Sequence, residues 1–144
     1  MGICAPALYY KKIHAKLYLT LRKVMSYILD KDIQAIIDDI SINGPRWKPT
    51  KLLSHLEKRK KQGQIPLDWT ATDYNDLIAK IVTNDSAEVY RYWLPHFHKT
   101  YIVFGLPKWI VIIGDDGLME TAFEIDRQAY YDYLNPRAGF LRVK

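Results

Sequence analysis

The chain has a single cysteine, Cys4, which excludes an intramolecular disulfide and any cysteine-built zinc site. No stretch approaches about 18 apolar residues free of charge, so no segment has the make-up of a membrane span. The opening MGICAPALYYKK lacks the basic-then-apolar layout of a signal peptide. Pro6 also stands where N-myristoylation favours Ser or Thr. No internal repeat, low-complexity tract or cofactor motif is visible. What remains is 144 residues, nearly half of them apolar, enough for one domain (residues 1–144) with one core.

Charge is unevenly placed. Residues 46–62 carry Arg46, Lys48, Lys51, Lys58, Arg59, Lys60 and Lys61 against Glu57 alone. Residues 109–126 carry Asp115, Asp116, Glu120, Glu124 and Asp126 with no cation. Concentrated positive charge on one short element is what polyanion binding needs, because each neutralised phosphate releases counterions. A solvated helix face gives the same pattern.

Two helical stretches come first. Ile13, Leu17, Leu21, Val24 and Ile28 form one apolar stripe, and Ile33, Ile36, Ile37 and Ile40 a second, with Asp30 as the cap between them. These predict an αα-hairpin over residues 7–42, closed by Asn43-Gly44-Pro45. A basic helix follows, with Thr50 as N-cap and Gly63 at its end. Thr72 then caps a helix through Val82 that turns Tyr74, Leu77, Ile78 and Ile81 to one side.

From Val89 onward the pattern is extended. Val89–Leu94, Thr100–Phe104, Trp109–Ile113 and Leu118–Ile125 read as strands, and Gly114-Asp115-Asp116-Gly117 as a hairpin turn. Trp109–Ile113 is apolar on both faces and belongs in mid-sheet. Arg127–Leu134 reads as a closing helical turn before a basic tail. The order predicts an α+β fold, N-terminal helices followed by a small twisted antiparallel meander, with residues 46–144 as the functional core.

On the basic helix, Leu52, Leu53 and Leu56 define the buried arc, with Lys51, His55, Lys58, Arg59 and Gln62 together on its flank. Three cations around His55 lower its pKa and leave a neutral imidazole suited to general-base work. In the last strand, alternation places Met119, Thr121, Phe123 and Ile125 on one face. There Thr121 offers a hydroxyl to a phosphate oxygen and Phe123 a ring to a base. His96-Phe97-His98 sets two imidazoles on one face if the strand continues, but Pro95 favours a loop there, with one histidine turned to RNA. No third histidine or carboxylate cluster lies close in sequence, so no metal site is expected.

The basic helix with His55, then VYRYW, then KTYIVFGLPKWIVIIGDDGLMETAFEID, resembles the barnase/EndoU/colicin/RelE superfamily of small ribonuclease toxins. Within it, the likeness is to the colicin D-like tRNases and the toxin tips of contact-dependent inhibition proteins. The resemblance covers about residues 50–144, through a strand–turn–strand with Ser or Thr two residues before an aromatic.

It implies a metal-independent endoribonuclease acting on RNA, tRNA above all, by attack of the 2′-hydroxyl, with no cofactor. His55 then corresponds to the catalytic histidine, with Lys58, Arg59 and Thr121 beside it. Lys51, Lys60, Lys61, Phe123 and Lys108 become the substrate-binding residues. Colicin D-like enzymes place their lysines just before the histidine, whereas here only Lys51 does so. The resemblance further implies a toxin working in a target cell's cytoplasm, secreted or carried as the end of a larger protein, and a cognate acidic immunity protein or antitoxin. Two other classes use the same residues without catalysis: an RNA-binding module built on the basic helix, and an immunity or adaptor protein whose aromatics face a protein partner.

Overall fold

A computed structural model describes the chain from Ala5 to Lys144, and its side chains over residues 14–21 and 31–144. The class is α+β, helices first and then a six-stranded, mostly antiparallel sheet. The chain divides into two compact units, Met1–Ala35 and Ile36–Lys144.

The expected αα-hairpin is replaced by one uninterrupted helix, α1 (Ala5–Asn43). Leu29-Asp30-Lys31-Asp32 contains neither Gly nor Pro, so Asp30 continues the helix instead of capping a second one. Leu17 and Leu21 of the first stripe are exposed, as are Tyr18 and Leu19. Ile13, Val24 and Ile28 lie outside the described side chains. In the second stripe Ile33 and Ile40 are buried and Ile36 and Ile37 half-buried. The helix stops as expected at Gly44, whose φ is +75°. Pro45 then disfavours helical backbone before it. Among the described residues no helix is long and apolar enough to cross a membrane.

Strand β1 (Arg46–Trp47) leads into α2 (Lys51–Lys61) and α3 (Ala71–Val82). Strands β2 (Glu88–Leu94), β3 (Lys99–Leu106), β4 (Trp109–Gly114) and β5 (Leu118–Glu124) form the expected meander. Helix α4 (Arg127–Tyr133) and β6 (Phe140–Arg142) close the chain. The sheet order is β1-β5-β4-β3-β2-β6, which puts β4 inside, as its two-sided apolarity requires. Two strands escape the sequence pattern. β1 pairs in parallel with β5, and β6, within the expected basic tail, pairs with β2.

Helix α3 begins one residue before Thr72. Thr70 caps it, accepting from the Asp73 N–H while the Asp73 carboxylate accepts from the Thr70 N–H, a complete capping box. α3 buries Tyr74, Ile78, Ile81 and Val82 against β3 and β4. That sheet face carries Ile102, Phe104, Val111, Ile113 and Ala122, all buried.

Among the described residues, the opposite face is buried at one end. There Tyr130 and Leu134 meet Tyr90, Val103, Ile110 and Phe140. Tyr92, Ile112 and Phe123 are half-buried at the margin of this cluster.

One irregularity matters for function. Ile112 pairs with Thr121 but Ile113 pairs with Met119, leaving Glu120 as an extra residue in a β-bulge. The strict alternation expected along β5 is therefore broken. Met119 joins Ile113 on the buried α3 face, and Thr121 and Phe123 lie with Ile112 and Ile110 on the half-covered face.

Candidate active site

Helix α2 is set by its two ends. Thr50 stands at the N-cap in left-handed backbone (φ +70°) and makes no side-chain cap bond, contrary to expectation. At the other end Gln62 is the C-cap and Gly63 (φ +67°) follows it. The Gln64 N–H donates to the Arg59 carbonyl at 3.0 Å and the Gly63 N–H to that of Lys60 at 3.0 Å. This 6→1 and 5→2 pair is a Schellman closure, and it needs the glycine.

The buried stripe of α2 is rotated from the one expected. Leu53 is exposed, while Leu52 and His55 are half-buried and Leu56 and Arg59 buried. His55 and Arg59 thus point at the sheet, not along its flank. The reason is the partner surface. The open edge of β5 offers polar backbone and the Thr121 hydroxyl, which suit imidazole and guanidinium better than a second leucine.

His55 Nδ1 lies 3.2 Å from Thr121 Oγ1. The Trp47 ring sits 5.3 Å from the imidazole centroid and donates its indole N–H to Asn75 Oδ1 at 2.9 Å. Thr121 and Trp47 therefore fix the ring from two sides. In the tautomer that carries its proton on Nδ1, the ring donates to Thr121 and Nε2 is the basic nitrogen; in the other, the Thr121 hydroxyl donates to Nδ1. Burial, then the Arg59, Lys51 and Lys58 charges, hold the His55 pKa below 6.5, with Glu120 pulling weakly the other way.

Arg59, expected beside the catalytic histidine, is only 5% exposed. Its Nη1 donates to Gln62 Oε1 at 2.9 Å and to Gln64 Oε1 at 3.4 Å, and its Nε has no partner. No described carboxylate pairs with it. Its charge instead acts on His55 as a fixed field from behind. Burial lowers the Arg59 pKa and the neighbouring Tyr74 opposes that shift. The Tyr74 hydroxyl donates to the Ala122 carbonyl at 2.6 Å, and burial raises its own pKa to about 12.

Phe123 is not a free stacking surface, since Arg59 lies 5.7 Å over its ring and Tyr133 meets it edge-on at 5.6 Å. Lys51, Lys58 and Lys61 are exposed on α2. Lys60 faces Glu57 at 3.6 Å. Lys108 is remote from this cluster. It lies in the β3–β4 turn at φ +79°, one residue before Trp109, whose pair with Glu124 is three along the sheet from the Ile112–Thr121 pair. His96 and His98 leave the strand altogether, in a 3-10 turn and a left-handed residue. Among the described residues no three His, Cys, Asp or Glu side chains converge.

The structure thus gathers His55, Thr121, Arg59 and Phe123, which sequence reasoning singled out, and adds Trp47, Gln64 and Tyr74, which it missed. Trp47 belongs to a two-residue strand too short to show a period. No protein-family model, curated protein or solved structure matches the chain.

Proposed function

We propose that the protein is an endoribonuclease of the toxin type, cleaving RNA by attack of its own 2′-hydroxyl, with tRNA as the substrate class the family resemblance favours. The observation that carries this reading is the 3.2 Å contact between His55 and Thr121, residues 66 apart in the chain. An oriented, neutral imidazole under three cations is equipped to take the 2′-hydroxyl proton. Lys51 and Lys58, exposed and close enough to lower the His55 pKa, supply cations for the phosphorane charge, and Thr121 adds a hydroxyl donor. RNA supplies its own nucleophile, so the step needs no activated water: the O2′–P bond forms as the P–O5′ bond breaks, and the 5′-oxygen leaves as a hydroxyl with a proton from solvent.

Toxicity in a target-cell cytoplasm and a cognate immunity protein belong to the same reading. Such a partner would be acidic where it covers α2. Incubation of purified protein with total RNA in EDTA tests the proposal. Discrete fragments ending in 2′,3′-cyclic phosphate are expected, and a strict metal requirement refutes it. RNA binding without any cleavage selects the non-catalytic module instead.

A further inference from the structure

The half-covered sheet face continues beyond Thr121. Gly114 follows Ile112 by two residues on β4 and so shares its face, the face of Thr121. A Cβ on Gly114 would stand 2.5 Å from Asp116 Oδ1 and 3.0 Å from both Cε and Nζ of Lys99, so the lysine and the carboxylate it pairs with lie together over the glycine. Its ammonium sits 5.1 Å above the Tyr101 ring and 3.6 Å from the Asp116 carboxylate. Tyr101 pairs with Gly114 on one side and with Tyr92 on the other, and the two tyrosine rings are 6.5 Å apart. Tyr101, Tyr92, Ile112 and Thr121 are all half-buried, in contrast to the sealed opposite face.

We infer that Lys99 and Tyr101 form a second nucleotide subsite, holding the phosphate and base next to the bond cleaved at His55 and Thr121. Strand geometry puts Gly114 roughly 8 Å from Thr121, two residues along and one strand across, a separation suited to neighbouring nucleotides. The occupant is single-stranded RNA, whose splayed bases can stack on a tyrosine while a lysine meets the phosphate. Phe123 lies under the buried Arg59, which Gln62 and Gln64 hold in place, so it does not offer that surface. Tyr101 also lies under a cation, but the Lys99 ammonium is partly exposed and bares the ring by swinging onto the phosphate. The inference rests on the ribonuclease reading and gives it a substrate form, an unpaired loop of at least two nucleotides.

The Asp116 pair separates a binding role for Lys99 from a structural one. If Lys99 merely anchors the 114–117 hairpin, Lys99→Ala and Asp116→Asn should both loosen it and both weaken binding. If Lys99 binds phosphate, Asp116→Asn should release the ammonium and tighten binding. Asparagine keeps the side-chain oxygen that accepts from the Leu118 N–H at 3.0 Å.

The probe is an uncleavable single-stranded 2′-O-methyl oligonucleotide, titrated against the full chain over a range of salt. Lys99→Ala should weaken binding about tenfold and lower the salt slope by about 0.7, the value for one phosphate on a single strand. Tyr101→Leu should cost roughly tenfold with no change of slope. Lys99→Arg should preserve both.

An unchanged Lys99→Ala overturns the subsite. So does weakening by both Lys99→Ala and Asp116→Asn, or a wild type that does not bind the probe. Cleavage by wild type and His55→Ala is measured separately. Cleavage that depends on His55, with binding indifferent to Lys99, keeps the nuclease and removes the subsite. Binding that depends on Lys99, without cleavage, does the reverse.

Discussion

The Gln64 carboxamide completes the edge of β5. Its Oε1 accepts from the Glu124 N–H at 2.9 Å and its Nε2 donates to the Glu124 carbonyl at 3.2 Å. One side chain thus does what a neighbouring strand would do for that residue. It follows directly on the Schellman closure of α2, so it pins the C-terminal end of the helix that carries His55. Gln64→Ala leaves two backbone groups unpaired and should cost about 1–3 kcal/mol in urea unfolding. Cleavage should fall as well, because His55 loses its register against Thr121. Gln64→Ala with unaltered stability would make this pair incidental.

The His55 environment gives a signed pH prediction. Its pKa is lower folded than unfolded, so the unfolded chain binds more protons as pH falls below about 6.5. Stability should therefore rise with pH through that window and decline as pH drops through the folded pKa. His55→Ala should flatten this part of the curve. In proton-detected titration, Lys58→Ala should raise the His55 pKa and Glu120→Gln should lower it. Movement of both in the same direction would show that another group dominates.

The catalytic contribution of His55 is tested on the same variant. His55→Ala should reduce cleavage by roughly two to four orders of magnitude, the usual range for a general base. RNA affinity should hardly change, since Lys51 and Lys58 keep their charge. Thr121→Ala should cost less, one hydrogen bond to the ring or to a charged oxygen. A folded His55→Ala that cleaves at the wild-type rate leaves the histidine as a packing residue.

How much of this was legible beforehand depends on range. The hairpin at Gly114–Gly117, the central place of β4 and the cationic helix follow from local pattern, whereas His55 and Thr121, 66 residues apart, were put in one site only by the family resemblance. The Glu120 bulge was not legible, because an inserted residue leaves the apolar alternation plausible in either register. The rotation of α2 was hidden for a different reason. Periodicity assigns leucines inward, and only the polar edge of β5 explains why His55 and Arg59 displace Leu53. β1 and β6, two and three residues long, exist only through their partners.

Gly105 and Tyr130 are coupled in a way that double mutants can measure. A Cβ on Gly105 would collide with the Tyr130 hydroxyl, which donates to Glu88 Oε2 at 3.1 Å beside the Tyr90 hydroxyl at 2.6 Å. Gly105→Ala should cost about 1–3 kcal/mol as an overpacked site. Tyr130→Phe removes the colliding oxygen, so the pair should cost less than the sum, with a coupling of about 0.5–3 kcal/mol. Strict additivity would mean that α4 shifts away without strain.

Arg59 offers the sharpest separation of stability from activity. It is a buried guanidinium with an unpartnered Nε and no described carboxylate beside it, so its desolvation is only partly offset by Gln62, Gln64 and Tyr74. Replacing such a charge with an apolar side chain of similar length is often neutral or stabilising, by about 1–4 kcal/mol where a buried ionic cluster is removed. Arg59→Met should therefore melt at or above the wild-type temperature. It should also raise the His55 pKa, because the charge that depresses it most, after burial, is gone. With a higher pKa, less of the imidazole is in the free-base form in acid, so cleavage should fall most at acidic pH and recover as pH rises. That combination, a protein no less stable and a shifted pH profile, is what a residue held for function predicts. A strongly destabilised Arg59→Met with the His55 pKa unmoved would assign Arg59 to the fold alone.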